Sequence, residues 1–290
     1  MSVDILQEKI RKTKNPSIVT FDAFESVVPQ QFVQEAGSVI GGYKILCVGI
    51  LNGLKGNVGA VRFGFGSFAA WGAEGVTALC DLLREAKSLG YYVLLDMPEL
   101  YSPMAAQHMA KAVSGEKSGY PCDGVVLSVF AGSDVVKPFL PLVKEGKSVF
   151  AVVRTANKSA SEIQDLLTGT RLVHTAATDI LNRLGERNVG KCGYSQLGAV
   201  AAASNADSLR SLRGKYSRLF LLLEGYDYPN ANAKNCSFAF DKLGHGAAAC
   251  AGLSIVGAWK EAGEGQDYVA AAAEAAVRMK KNLTRYITVL

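Results

Sequence analysis

Short apolar or β-branched runs alternate along the chain with longer segments of helical period, the pattern of a parallel sheet built from successive βα units. The runs predict strands over Ser17–Asp22, Val58–Phe63, Tyr91–Asp96, Gly124–Ser128, Ser148–Val153, Leu197–Ala202, Arg218–Glu224 and Gly246–Cys250. A run such as Leu-Phe-Leu-Leu-Leu-Glu224 leaves no polar alternate position, so both of its faces must be buried. A closed barrel ringed by helices provides that burial. Between the strands, Gly75–Leu89 repeats apolar residues at helical spacing, and Ser159–Leu184 predicts a second covering helix opened by a capping box of Ser159 and Glu162. An open doubly wound sheet would carry a Gly-rich phosphate turn after its first strand. Here that strand runs into Asp22-Ala-Phe-Glu25, which favours the barrel. The expected fold is α/β, a (β/α)8 TIM barrel forming a single domain over 1–290.

Composition narrows the class. With 290 residues, 49% hydrophobic and 20% charged, the chain can bury one large core, and no Pro/Ser-rich linker divides it. The net charge of +5 is modest; its one local basic cluster, Arg278, Lys280, Lys281 and Arg285, falls on an amphipathic pattern and reads as a solvated face. No basic stripe interleaved with aromatics appears, so a nucleic-acid partner is not expected. The N-terminal residues mix charges from Asp4 onward, and the weakly polar stretch Gly246–Trp259 is shorter than a bilayer span. A cytoplasmic protein without membrane association is expected. The 6 cysteines form no CxxC pair and read as reduced thiols, while the 3 histidines lack ligand spacing, so neither a metal nor another cofactor is expected.

In a barrel of this kind chemistry sits where the strands end in their βα loops. Those ends hold Asp22, Arg62, Asp96, Ser128, Arg154, Glu224 with Asp227, and Cys250. At these positions the sequence resembles the type 2 orotidine 5′-monophosphate decarboxylases. The likeness runs from RKTKNPSIVTFD through AVRFGFGSFAAWGAEGVTAL, VRTANKSASEIQDL and GYSQLGAVAAAS to LEGYDY and HGAAACAGLSIVGAWK. The agreement of these blocks in order and spacing makes chance similarity a poor explanation.

The resemblance implies a homodimer whose active site holds an alternating Lys/Asp network, with a lysine on the second strand and Asp-x-Lys-x-x-Asp after the third. Here Arg62 stands for the first lysine, and the motif reads Asp96-Met-Pro98-Glu-Leu-Tyr101. Pro98 replaces the lysine that balances and protonates the ring carbanion; proline has no side-chain nitrogen to do either. Tyr101 replaces the aspartate that the family donates across its dimer. Asp96 and Arg62 are therefore remnant catalytic positions. Asp22, Arg154, Thr155, Ser159 and Gly225 correspond to sugar, ring and phosphate contacts. In the phosphate loops, Glu224 and Asp227 have arrived and Leu253 stands where the family has an arginine. A carboxylate about 5 Å from a phosphate charge costs on the order of 3 kcal/mol at an effective dielectric of 20. The expectation is a binding or regulatory protein that does not decarboxylate, pairing with itself or with an active paralogue and taking an unidentified small ligand. A weak decarboxylase or an enzyme of changed substrate is the alternative. The acidic excess of Glu99, Glu224 and Asp227 reads either as solvated surface or as a seat for a cationic ligand.

Overall fold

The structure, a computed structural model, describes residues 1–261 and 267–289; residues 262–266 and 290 of the expected 1–290 unit lie outside the described residues. Eight parallel strands close into a barrel: β1 (Ser17–Phe21), β2 (Ala60–Gly64), β3 (Tyr92–Asp96), β4 (Gly124–Ser128), β5 (Ser148–Arg154), β6 (Leu197–Ala202), β7 (Leu221–Glu224) and β8 (Ala247–Ala251). Each pairs with its neighbours in sequence, and β8 returns to β1 with Ser17 opposite Ala249. This is the (β/α)8 barrel that the apolar runs predict.

Strand periodicity sends alternate side chains to two separate cores. Val19, Val61, Val93 and Leu95 face outward into the layer beneath the helices. Their neighbours Ile18, Ala60, Tyr92 and Leu94 face the lumen, where they meet Phe150, Phe220 and Leu222. The lumen is solid. Phe220 lies edge-on to both Phe150 and Tyr194, with ring centroids 6.1 and 5.9 Å away. Gly198 on β6 leaves the space that Phe150 takes: a Cβ there would lie 2.4 Å from the ring.

The N-terminal end of this lumen is stoppered by a helix for which the sequence reading had no prediction. In α1 (Ser2–Thr13), Val3, Leu6 and Ile10 recur at i, i+3 and i+7 and join the lumen cluster. Polar groups at the strand starts receive its first two turns. Ser2 Oγ lies 2.7 Å from Tyr92 Oη and donates to the Asp123 carbonyl at 2.7 Å. Gln196 Oε1 accepts from the Val3 amide at 2.9 Å, and Gln7 Oε1 accepts from the Gly246 amide at 3.0 Å.

One predicted helix is corrected. Ser159–Leu184 is not continuous: a short 3-10 turn at Lys158–Glu162 is followed by a two-stranded antiparallel hairpin, Leu167–Thr168 with Arg171–Leu172, and only then by a helix at Val173–Gly185. The expected capping box is absent, because Ser159 Oγ instead accepts from Asn157 Nδ2 at 2.9 Å. Gly169 explains the break, with φ at 63°, a left-handed conformation that glycine adopts freely and a helix interior excludes. The helix predicted over Gly75–Leu89 spans Gly72–Ser88. Among the described residues, no single helix is long and apolar enough to cross a membrane.

Candidate functional site

The C-terminal strand ends surround a cavity of about 410 Å³, lined by Thr20, Asp22, Phe24, Arg62, Asp96, Ala156, Glu224, Gly225, Asp227, Tyr228, Cys250, Gly252 and Leu253. β2 and β3 run in register with Gly64 opposite Asp96, which brings Arg62 and Asp96 together across the sheet. The guanidinium grips Oδ2 twice: Nε donates at 2.8 Å, and an Nη donates to the same oxygen. Its terminal nitrogen also stands 3.8 Å from Glu224 Oε2. Glu224 Oε1 accepts from the Ala156 amide at 3.1 Å. Asp96 Oδ1 is buried and accepts no hydrogen bond.

The cavity therefore gathers Asp22, Asp96, Glu224 and Asp227 around Arg62 as the only cation among its lining residues. Burial dominates the titration of Asp22, Asp96 and Glu224. It pushes Asp22 up to about 6, with Arg62 opposing the rise and Asp96 adding to it. Asp96 and Glu224 are likewise raised, first by burial and only partly relieved by Arg62. For Arg62, burial alone would lower the pKa, but the carboxylates of Asp96 and Glu224 outweigh it, so the guanidinium stays charged. Burial also pushes the Cys250 thiol up to about 11, leaving it protonated.

Gly64 at the end of β2 and Gly66 just beyond it make room for the chain itself. A Cβ at Gly64 would meet Asp22 Oδ1 at 2.1 Å, and one at Gly66 would meet Glu99 Oε1 at 2.1 Å. Gly225 lines the cavity with φ at 73°.

The phosphate-loop region shows a different substitution. In (β/α)8 barrels phosphate commonly seats in the loops after the seventh and eighth strands, on backbone N–H groups. Here Asp227 from the seventh loop accepts the Gly252 amide on Oδ2 at 2.7 Å and the Ser254 hydroxyl on Oδ1. Two donors of the eighth loop, the Gly252 amide and the Ser254 hydroxyl, are already occupied by a carboxylate that the chain carries itself.

The other expected contacts are satisfied internally and do not line the cavity. Arg154 binds Asp165 in a fork, Nε and Nη2 each at 2.9 Å. Thr155 gives its amide to Gln164 Oε1 at 2.8 Å. Ser159 holds Asn157 as described, and Ser128 Oγ accepts from the Phe130 amide at 3.3 Å. Arg154 instead borders an adjoining recess with Asn157, Lys158 and Tyr228. Pro98 and Tyr101 stand outside the cavity lining, and Tyr101 is 65% exposed. Asp165 and Gln164 were missed in sequence. Their signal is only their place in the loop after β5, which a continuous helix would have turned away from Arg154.

A (β/α)8 barrel with a charged mouth defines the class, and comparison with known proteins supplies the family. No protein-family model matches the chain. It is 30% identical over 223 residues to an orotidine 5′-phosphate decarboxylase of Clostridium kluyveri, covering 75% of each chain. With one from Clostridium novyi it is 24% identical over 286 residues, covering 98% of each. The chain belongs to the orotidine 5′-phosphate decarboxylase family. Solved structures agree on the fold: the Leishmania donovani OMP decarboxylase superposes with a TM-score of 0.74 at 20% identity, covering 97% of this chain and 98% of that one. The Plasmodium berghei orotidine 5′-monophosphate decarboxylase gives 0.78 at 12% identity, with 99% and 98% covered.

Proposed function

We propose that this barrel does not decarboxylate orotidine 5′-monophosphate and serves in the cytoplasm as a binding or regulatory member of its family, folded as one domain. The observation that carries the reading is the state of the two positive positions of the expected network. Arg62 is committed to Asp96 and Glu224, and the second position is Pro98. Protonating a ring carbanion needs an acid that can give up its proton; a guanidinium held by buried carboxylates does so poorly, and proline offers none. Asp227 supports the same reading, since an incoming phosphate must displace a carboxylate from the Gly252 amide and then lie beside it.

The partner in this reading is a second copy of the chain or an active paralogue. Large apolar side chains on the loops after β3, β4 and β5 stand exposed, Tyr101, Met104, Phe130, Ile163, Leu166 and Leu167 among them. Exposed apolar side chains of this size suit protein contact. In a mixed dimer Tyr101 would sit where the family supplies an aspartate, damping the active subunit.

The decisive measurement is direct. Purified protein incubated with orotidine 5′-monophosphate is expected to leave the substrate absorbance unchanged; robust turnover would overturn the proposal. Capture from the native cell is expected to recover an active paralogue, and recovery of only the chain itself removes the mixed dimer.

A further inference from the structure

We propose that the mouth cavity binds a small phosphate-free organic cation, a protonated amine or guanidine, between Asp96, Glu224 and Asp22. The inference rests on the reading above, that the site no longer holds a nucleotide monophosphate, and it names what takes that place.

Charge is the first argument. Asp22, Asp96 and Glu224 converge on the cavity with Asp227, and Arg62 is the sole cation among the lining residues. Buried carboxylates are costly unless paired, and one guanidinium cannot pair with all of them. Asp227 is spent on Gly252 and Ser254, so the excess is concentrated on the other three.

The second argument is a missing donor. Asp96 is 8% exposed, and its Oδ1 accepts no hydrogen bond. A buried acceptor left empty costs about 1–3 kcal/mol, which a ligand N–H recovers.

Shape and donor set complete the case. A cavity of about 410 Å³ admits an alkylamine or alkylguanidine, and Phe24 and Tyr228 stand among its lining residues. Among the described residues no group of three His, Cys, Asp or Glu is arranged to hold a metal ion, which directs the excess charge to an organic cation. A guanidinium also matches the carboxylate geometry in which Arg62 already sits.

Calorimetry on the full chain at about pH 8, above the value of about 6 to which burial raises Asp22, tests the proposal with agmatine as the probe. Butylurea, which lacks both cationic groups of agmatine, and uridine monophosphate are separate titrants. Agmatine is expected to bind, butylurea at least about tenfold more weakly, and uridine monophosphate not at all. Asp96→Asn is expected to weaken agmatine at least about tenfold. Should that variant fail to fold, Glu224→Gln carries the same expectation. Affinity is also expected to rise with pH through about 6, as Asp22 ionises among Arg62, Asp96, Glu99 and Tyr43. Absence of agmatine binding, equal binding of butylurea, or indifference to both substitutions overturns the cation site and leaves the non-decarboxylating reading standing. Turnover of orotidine 5′-monophosphate does the reverse.

Discussion

The two ends of this barrel solve opposite problems. At the N-terminal end, α1 lays Val3, Leu6 and Ile10 into the lumen, and its polar atoms find Asp123, Gln196 and Gly246 at normal hydrogen-bond distances. At the C-terminal end the same strands deliver carboxylates into a shared space, with one oxygen of Asp96 unpartnered and Asp22 raised by burial. Gln7 Nε2 and Gln196 Nε2 at the floor are unpartnered too, so the contrast is one of charge, with neutral amides and apolar side chains below and carboxylates above. That division is what a binding site needs, because a mouth satisfied by its own groups has no free energy left to offer a ligand.

The contrast can be broken most severely from below. Phe220→Ala removes a fully buried ring with two edge-on aromatic partners, and it is expected to cost about 4 kcal/mol in urea unfolding while leaving the mouth chemistry in place. A loss under about 1 kcal/mol would mean that the lumen is loosely packed.

At the upper end, Arg62→Leu leaves Asp96 and Glu224 without their cation. The expected loss is about 3 kcal/mol at pH 8. It should shrink as acidification protonates carboxylates whose pKa values are already raised. A pH-independent loss would locate the role of Arg62 in packing.

The mildest change sharpens the comparison by reversing sign. Because the folded pKa of Asp22 is raised from 3.8 to about 6, the folded state holds its proton more tightly than the unfolded chain does. Its contribution to stability is therefore full below the unfolded value and is lost as pH climbs through about 6. Asp22→Asn is expected to stabilise the protein by about 2 kcal/mol at pH 8, with the gain fading below about pH 4. Destabilisation at pH 8 would show that the ionised carboxylate has a partner that matters more than its burial.

The strands were legible because burial on both faces leaves an uninterrupted apolar run. β4 and β6 fall on the residues expected of them, whereas β7 begins at Leu221, three residues later than expected from Arg218, since the run alone does not say where pairing starts. The stopper helix was hidden by its charges. Asp4, Glu8, Lys9, Arg11 and Lys12 surround a stripe whose spacing is visible once the lumen is known to need a floor. The hairpin had its signal in Thr168-Gly169-Thr170, a turn former inside an otherwise helical period. At the mouth, the sequence placed Asp22, Arg62, Asp96, Glu224 and Asp227 at the strand ends, and all of them line the cavity. Which acid takes which donor was not legible. That Asp227 turns to Gly252 and Arg154 to Asp165 depends on loop paths, and no local propensity encodes them.

The floor of the barrel also sets an order of events. Gln7 and Gly246 are 239 residues apart, so the stopper is made early in synthesis and its final anchor arrives only with β8. Contacts across so much chain form late, because closure entropy is lost before the contact returns anything. Until then Val3, Leu6 and Ile10 form an uncovered apolar stripe on a short helix. A nascent chain paused before Gly246 is thus a candidate client for a chaperone at its N-terminal end.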